Sequence, residues 1–506
     1  MEAQKDWKMK KIRPIGIVTI GAFFCLFAFF TVAHPMYIYD TDDWTYISSH
    51  RHALPMTHAW NPTKILPETL MPLAAEIGVR FIMPFSGDYI GAMAYAFAFF
   101  VAMFIVLYIL AFGRVLKEKF SLDDKVISIM LVIFLLWHFL PFNVNGGGGA
   151  NSYLFYSSNV TCYFNYVIPA LLNAIMVMYL MTHHQIEWKN EKRDLRNGFL
   201  ILAIYLCINS NLFHSAVLMS YIGMRLIVSL AGKIYAKEYK DMQAFLTGYI
   251  LSNFGDLLVS VVWVLSAVME AKGGRAHMGY GQFLLKESFN LFVNSIVEMN
   301  VFFRFGGTVV IILGLVAFMA ARLNGTQGDD ECIYCRWLYK NVICLTLAAL
   351  YLILLCARVS PHYITKADVM IVWMFYLILL VMGSLAYLVK KVRLVCWILP
   401  LALYVLIFET IIDEGTYKDT YAIAYSADTI KALDENLIKQ VVKAEEAGLD
   451  EVEVLVPYLR DESWPIAISY GGDRISVSLF RHGITHKQMK IHLVMDQSLN
   501  EEFHLP

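Results

Sequence analysis

The chain has 506 residues, 58% of them hydrophobic and 16% charged, with a mean hydropathy of +0.55. A soluble domain carries about 25% charged residues, so the composition excludes a large soluble enzyme and specifies an α-helical polytopic membrane protein. The formal net charge of −1 identifies no partner, because charge is segregated by side of the membrane, and no basic pattern points to nucleic acid.

Apolar runs predict about eleven transmembrane helices, near residues 15–33, 89–112, 126–142, 163–182, 199–208, 212–231, 245–269, 301–321, 341–357, 367–389 and 395–412. The first is about 19 residues long and ends in His34-Pro35, which reads as a spanning helix rather than a cleavable signal. The run at 199–208 is short of the roughly twenty residues a simple crossing needs. Every second connection is basic: Lys5 to Arg13, Arg114 to Lys125, Lys189 to Arg196, Lys233 to Lys240, Arg322 to Lys340, and Lys390 to Arg393. The positive-inside rule then places the N-terminus in the cytoplasm, and an odd span count places the C-terminus outside. The expected location is a bacterial plasma membrane.

The outer connections are unequal. Residues 34–88 form a long first loop, in which Leu70, Leu73, Ala74, Ile77 and Phe81 recur at helical spacing, as in a helix lying in the interface. A run of four glycines, Gly146 to Gly149, lies in the loop 143–159, and residues 270–300 make a third large loop. Residues 1–412 therefore form the membrane domain and 413–506 a soluble extracytoplasmic α/β tail. In the tail, 429–447 reads as an amphipathic helix, 451–456 and 490–495 as strands, and 464–470 with 474–480 as a hairpin around Gly471-Gly472-Asp473.

The most informative motif is Asp40-Thr41-Asp42-Asp43, directly after the first span. A carboxylate at a membrane boundary can take a proton from an acceptor hydroxyl, or hold a divalent cation beside a phosphate leaving group. The plainer alternative is a solvated loop whose acids cap a helix or mark a turn. Arg358, His362, Tyr363 and Lys366 sit together at a later outer helix end, where a lipid-linked phosphate would meet a guanidinium. The alternative for these cations is snorkelling. His52, Trp60 and Lys64 follow the acidic motif, and Arg275 and Arg304 flank the third outer loop; aromatic and cationic groups of this kind suit a sugar-phosphate substrate. Asp256 falls inside a span, where it lines a cavity or forms an ion pair, with Arg225 as the candidate partner.

The acidic motif in the first outer loop, the interfacial helix behind it and the span count resemble the GT-C superfamily of multi-pass glycosyltransferases. That resemblance implies a GT-C-like membrane fold and transfer of a sugar from a polyprenyl-phosphate donor to a cell-envelope glycan, lipid or protein acceptor, with inversion. It assigns Asp40, Asp42 and Asp43 to catalysis, Asp40 or Asp42 as the base. It leaves room for a divalent cation, magnesium or manganese, between the three. Two other readings stand beside it. A lipid-linked polysaccharide polymerase or ligase would depend on late-loop cations such as Arg358 and His362. A transporter or flippase of lipid-linked saccharides would carry functional charges deep in the bundle and an internal repeat, and the sequence shows no repeat.

Overall fold

The computed structural model describes residues 14–38, 40–49, 62–140, 154, 159–183, 195–236, 242–271, 282–326, 328–412, 426–458 and 467–505, with backbone only at 195–196 and 409–412. In chain order the helices are α1 (Pro14–Ala33), α2 (Thr41–Tyr46), α3 (Pro67–Ile77), α4 (Tyr89–Phe120), α5 (Asp124–Trp137), α6 (Val160–Thr182), α7 (Leu195–Ile208), α8 (Ser215–Tyr235), α9 (Met242–Ser252), α10 (Phe254–Ala271), α11 (Leu285–Glu298), α12 (Val301–Leu323), α13 (Asp329–Val359), α14 (Ala367–Lys391) and α15 (Arg393–Ile412). A smaller α/β module follows: α16 (Ala427–Glu446), β1 (Glu451–Pro457), α17 (Gly471–Arg481), β2 (Lys490–Asp496) and α18 (Ser498–Glu502).

Among the described residues eight helices are long and apolar enough to cross a membrane: α1, α4, α6, α8, α10, α12, α13 and α14. Each of the eleven predicted spans coincides with helix, but the expected count is not reached by length. Helices α5 and α7 have 14 residues each, and the side chains of α15 are described only over Arg393–Phe408. The predicted span 245–269 is broken at Asn253. Its amide donates to Tyr249 O at 2.8 Å and to Ser229 Oγ at 3.0 Å, a side-chain alternative to the helix ladder.

The central helices differ from the peripheral ones in how they are covered. Protein buries 83% of the apolar window of α14 and 61% of that of α4, but only 11% of those of α1 and α10. The latter turn apolar side chains such as Phe24, Val261 and Leu265 outward, as a lipid-facing surface would. Helices α13 and α14 pack closely because residue 383 is glycine: a Cβ there would lie 1.9 Å from the Trp337 Nε1, which donates to Leu379 O at 3.0 Å. Asp256 pairs with Arg225 at 2.9 Å, so this intramembrane acid is an ion pair, as a buried carboxylate requires.

The described part of the connection between α1 and α4 folds back onto the bundle. Helix α3 continues through a wide turn, Gly78–Ile82, into Met83–Ser86. Met71, Ala74, Ala75 and Val79 are buried, while Leu73, Phe81 and Phe85 face outward. The apolar face read from the sequence is therefore split: Ala74 packs inward, and Leu73 and Phe81 do not.

In the C-terminal module β1 and β2 pair in parallel, from Glu451↔Lys490 to Pro457↔Asp496. A parallel pair requires a crossover, and α17 supplies it. The hairpin predicted across residues 464–480 is not formed: 471–481 is helical, and 464–466 lie outside the described residues. The alternation of Ile475, Val477 and Leu479 mimicked a strand, and a run this short does not separate the two periods. Tertiary packing chooses the helix, burying Ile475 and Leu479 completely. Gly472 allows α17 to approach β2, since a Cβ there would lie 2.2 Å from Ile491 O.

Candidate active site at the acidic helix

Asp40 is the N-cap of α2, and its Oδ1 accepts from the backbone N–H of Asp42 at 2.8 Å and of Asp43 at 3.1 Å. The Asp43 carboxylate reaches back to the N–H of Asp40, closing a reciprocal capping box. Both acids also reach α6. Asp43 is 0% exposed, and its Oδ1 accepts from Thr161 N at 2.7 Å and Thr161 Oγ1 at 2.6 Å. The Asp40 Oδ2 accepts from Asn159 Nδ2, while Asn159 Oδ1 caps α6 through Cys162 N at 2.7 Å. The orphan N–H groups at the start of α6 thus receive a carboxylate, which the helix dipole also favours. The triplet Asn159-Val160-Thr161, which matches a glycosylation sequon, serves here as a helix cap.

The three aspartates consequently have different tasks. Asp43 is structural, Asp40 is half-buried and engaged at both oxygens, and Asp42 is exposed on the first turn of α2. The Asp42 carboxylate has no hydrogen-bond or ion-pair partner among the described residues. Burial raises the pKa of Asp40 above the usual range, helped by the charge of Asp42 and opposed by the donors it accepts from Asp43, Asn159 and Asp42. Asp42 shares a helix face with Tyr46, four residues on. Lys64 joins that face: its Nζ lies 3.4 Å from Tyr46 Oη, 5.7 Å from the ring centroid, and 3.5 Å from Glu68.

A divalent cation between the aspartates does not fit this arrangement. The inward oxygens of Asp40 and Asp43 meet N–H and O–H donors, which a cation would have to displace. Among the described residues no group of three or more His, Cys, Asp or Glu side chains is disposed to hold a metal ion.

A chain of hydrogen bonds and one ring contact runs from the start of α6 to Tyr363, beside Lys366. Asn165 Nδ2 donates to Thr161 O at 3.0 Å, Asn211 Nδ2 to Asn165 O at 2.8 Å, and Phe213 N to Asn211 Oδ1 at 2.9 Å. The Phe213 ring lies 5.9 Å from that of Tyr363, and His214 Nε2 meets Asp368 O at 2.7 Å. The loop at Asn209 also receives Leu66 N at 3.1 Å and Ser266 Oγ at 3.1 Å. This loop follows the span that was hardest to read from sequence, and it is the polar hub of this end of the bundle. Of the late cations, Arg358, His362 and Lys366 are exposed. Lys366 sits 5.1 Å from the Tyr363 ring centroid, and His362 3.9 Å from Glu287. Arg358 has no ion pair among the described residues. Arg304 donates to Met299 O at 2.8 Å, tying the turn between α11 and α12. His52, Trp60 and Arg275 lie outside the described residues.

Sequence reasoning missed the groups that the C-terminal module brings to α2. Asp434 of α16 is 5% exposed, and its Oδ2 has no hydrogen-bond partner among the described residues. Burial pushes its pKa well above the carboxylate range, and the charges of Asp43 and Glu435 add to that, against a smaller opposing effect of the Trp44 indole. No motif marks Asp434; only the fold brings it beside α2. The raised pKa has a sign consequence. Unfolded, Asp434 ionises near pH 3.8; folded, it keeps its proton to much higher pH. Above pH 3.8 folding therefore takes up a proton, and this group's contribution to stability falls as pH rises. Asp434→Asn is expected to raise the melting temperature at neutral pH and to flatten its decline as pH rises above 3.8, as measured by thermal denaturation in detergent.

No protein-family model matches the chain, and no curated protein matches it. Among solved structures it is similar to the crystal structure of the Archaeoglobus fulgidus oligosaccharyltransferase in complex with Zn and sulfate, at 14% sequence identity and a TM-score of 0.45, over 95% of this chain and 62% of that one. The chain thus spans less than two thirds of that protein's length.

Proposed function

We propose that this chain is an integral-membrane glycosyltransferase that moves a sugar from a polyprenyl-phosphate donor to a cell-envelope glycan, lipid or protein acceptor on the outer face of the membrane. The observation that carries the proposal is Asp42: an exposed, unengaged carboxylate on a helix whose other two acids are occupied in holding it. Asp42 takes the proton of the acceptor hydroxyl. The acceptor oxygen attacks the anomeric carbon as the bond from that carbon to the phosphate oxygen breaks. Polyprenyl phosphate leaves, and Arg358 with Lys366 meets its charge. Attack opposite the leaving group inverts the anomeric carbon. Lys64 and Tyr46, on the Asp42 face, contact the sugar or its phosphate.

The test is transfer from a polyprenyl-phosphate-linked sugar by purified protein in nanodiscs. Arg358→Ala is expected to lower kcat/KM about 10- to 100-fold, the loss of one charge-assisted phosphate contact of about 1.5–3 kcal/mol. Loss with Arg358→Ala but none with any aspartate variant would favour the polymerase or ligase reading. Full activity in both sets would remove the glycosyltransferase reading.

A further inference from the structure

We propose that the C-terminal module is a clamp on α2, with Ser478 and Arg481 as positioning residues that fix the direction of Asp42. The consequence for catalysis rests on the transferase reading above; the clamp itself rests on geometry alone.

A six-residue helix does not persist in isolation, and its last carbonyls have no partner within the helix. The N-terminus of α2 is closed by its own capping box. Its C-terminal end is closed by the module. Ser478 Oγ donates to Trp44 O at 2.6 Å, and Arg481 Nη1 donates to Ser48 O at 2.6 Å. Since Ser478 has a single hydroxyl proton, the 2.9 Å contact between the Ser48 and Ser478 hydroxyls makes Ser48 the donor. At the other end of α2, Ala467 N donates to Thr41 Oγ1 at 2.6 Å. The module thus grips α2 along its whole length, and Ser48 and Ser478 are both buried.

A clamp needs a firm back, and this one has two supports. Within the module, α17 lies against β2 at Gly472, and Ser476 Oγ donates to Met489 O at 2.5 Å. Against the bundle, Lys431 pairs with Asp88, the N-cap of α4, at 2.6 Å, and the Tyr89 hydroxyl meets His482 Nδ1 at 2.7 Å. Helix α2 is therefore held between α6 on one side, through Asp43 and Thr161, and the module on the other. Asp42 lies on the remaining open face.

The experiment uses the full chain in nanodiscs and combines hydrogen–deuterium exchange with transfer kinetics. In the Ser478→Ala/Arg481→Ala double variant, the peptide covering residues 41–48 is expected to exchange at least tenfold faster, while peptides from α17 and β2 stay protected. The kcat should fall at least tenfold, with KM for the donor changed less than twofold. Ser478→Thr and Arg481→Lys each keep a donor and should restore both readouts; Glu453→Ala, on the exposed side of β1, should change neither. Unchanged protection of 41–48 in the folded double variant would overturn the clamp, and so would faster exchange with unchanged kcat. If α17 or β2 also loses protection, Thr41→Val decides: it removes the acceptor of Ala467 from the α2 side and must loosen 41–48. A wild-type chain that transfers no sugar would end the transferase reading, and an Asp42→Asn chain that transfers normally would move the role of base to Asp40, while the exchange measurements would still decide the clamp.

Discussion

Asp42→Asn is expected to lower kcat for sugar transfer by about 10²–10⁴-fold, the usual contribution of a positioned general base, while leaving the melting temperature unchanged. The two halves of this expectation come from the same observation. Asp42 is exposed and its carboxylate holds nothing in place, so the amide removes basicity without disturbing packing. Its contribution to capping comes from its backbone N–H, which donates to Asp40 Oδ1 and is retained in the variant. Asp42→Glu keeps a base but moves it by one methylene, and should recover part of the rate. Thermal melts and initial rates on the same preparation separate the two effects. An Asn variant with wild-type kcat would transfer the role of base to Asp40, whose raised pKa is suited to it but whose oxygens are both engaged.

The opposite pattern is expected for Asp43→Ala, which should cost about 2–6 kcal/mol of stability, because three donors lose their acceptor, two of them buried, and each unpaired buried group costs about 1–3 kcal/mol. These donors are Thr161 N–H, the Thr161 hydroxyl and Asp40 N–H. Activity would be lost with the fold of α2 rather than with the chemistry. Asp43→Asn retains one acceptor oxygen and should cost less, about 1–3 kcal/mol. Thr161→Val in the Asp43→Ala background should cost less than it does alone, since two of the orphaned donors share one partner. Denaturation in detergent, followed by exchange at residues 41–48, measures both. A stable Asp43→Ala protein with a protected α2 would show that the stitching of α2 to α6 is dispensable.

Much of the molecule was legible from the chain alone, for a simple physical reason. A backbone in lipid must satisfy its own hydrogen bonds, so apolar runs become helices. The positions of the helices therefore followed from hydropathy, whereas for Asp256 the sequence left a cavity and an ion pair open, and the structure supplied the pair with Arg225. The alternation of β1 and β2 and the amphipathic α16 were equally readable, since each repeats one period over its whole length. The acidic motif was found as a concentration of charge, but its three members were indistinguishable there: a capping box and a free base have the same composition.

What the sequence determined is thus the membrane class, the helices, and the presence of Asp40, Asp42, Asp43 and Arg358 in loops expected on one face. The tertiary structure decided which of those acids is free. It did so through contacts from Asn159 and Thr161, more than a hundred residues away, while Ala467, Ser478 and Arg481, more than four hundred residues away, hold the helix that carries the acids. It also turned residues 474–480 from a predicted strand, and 471–473 from a predicted turn, into the helix that caps α2. Local periodicity fixes what a segment can become, whereas the use of each carboxylate depends on donors that only folding brings within 3 Å of it.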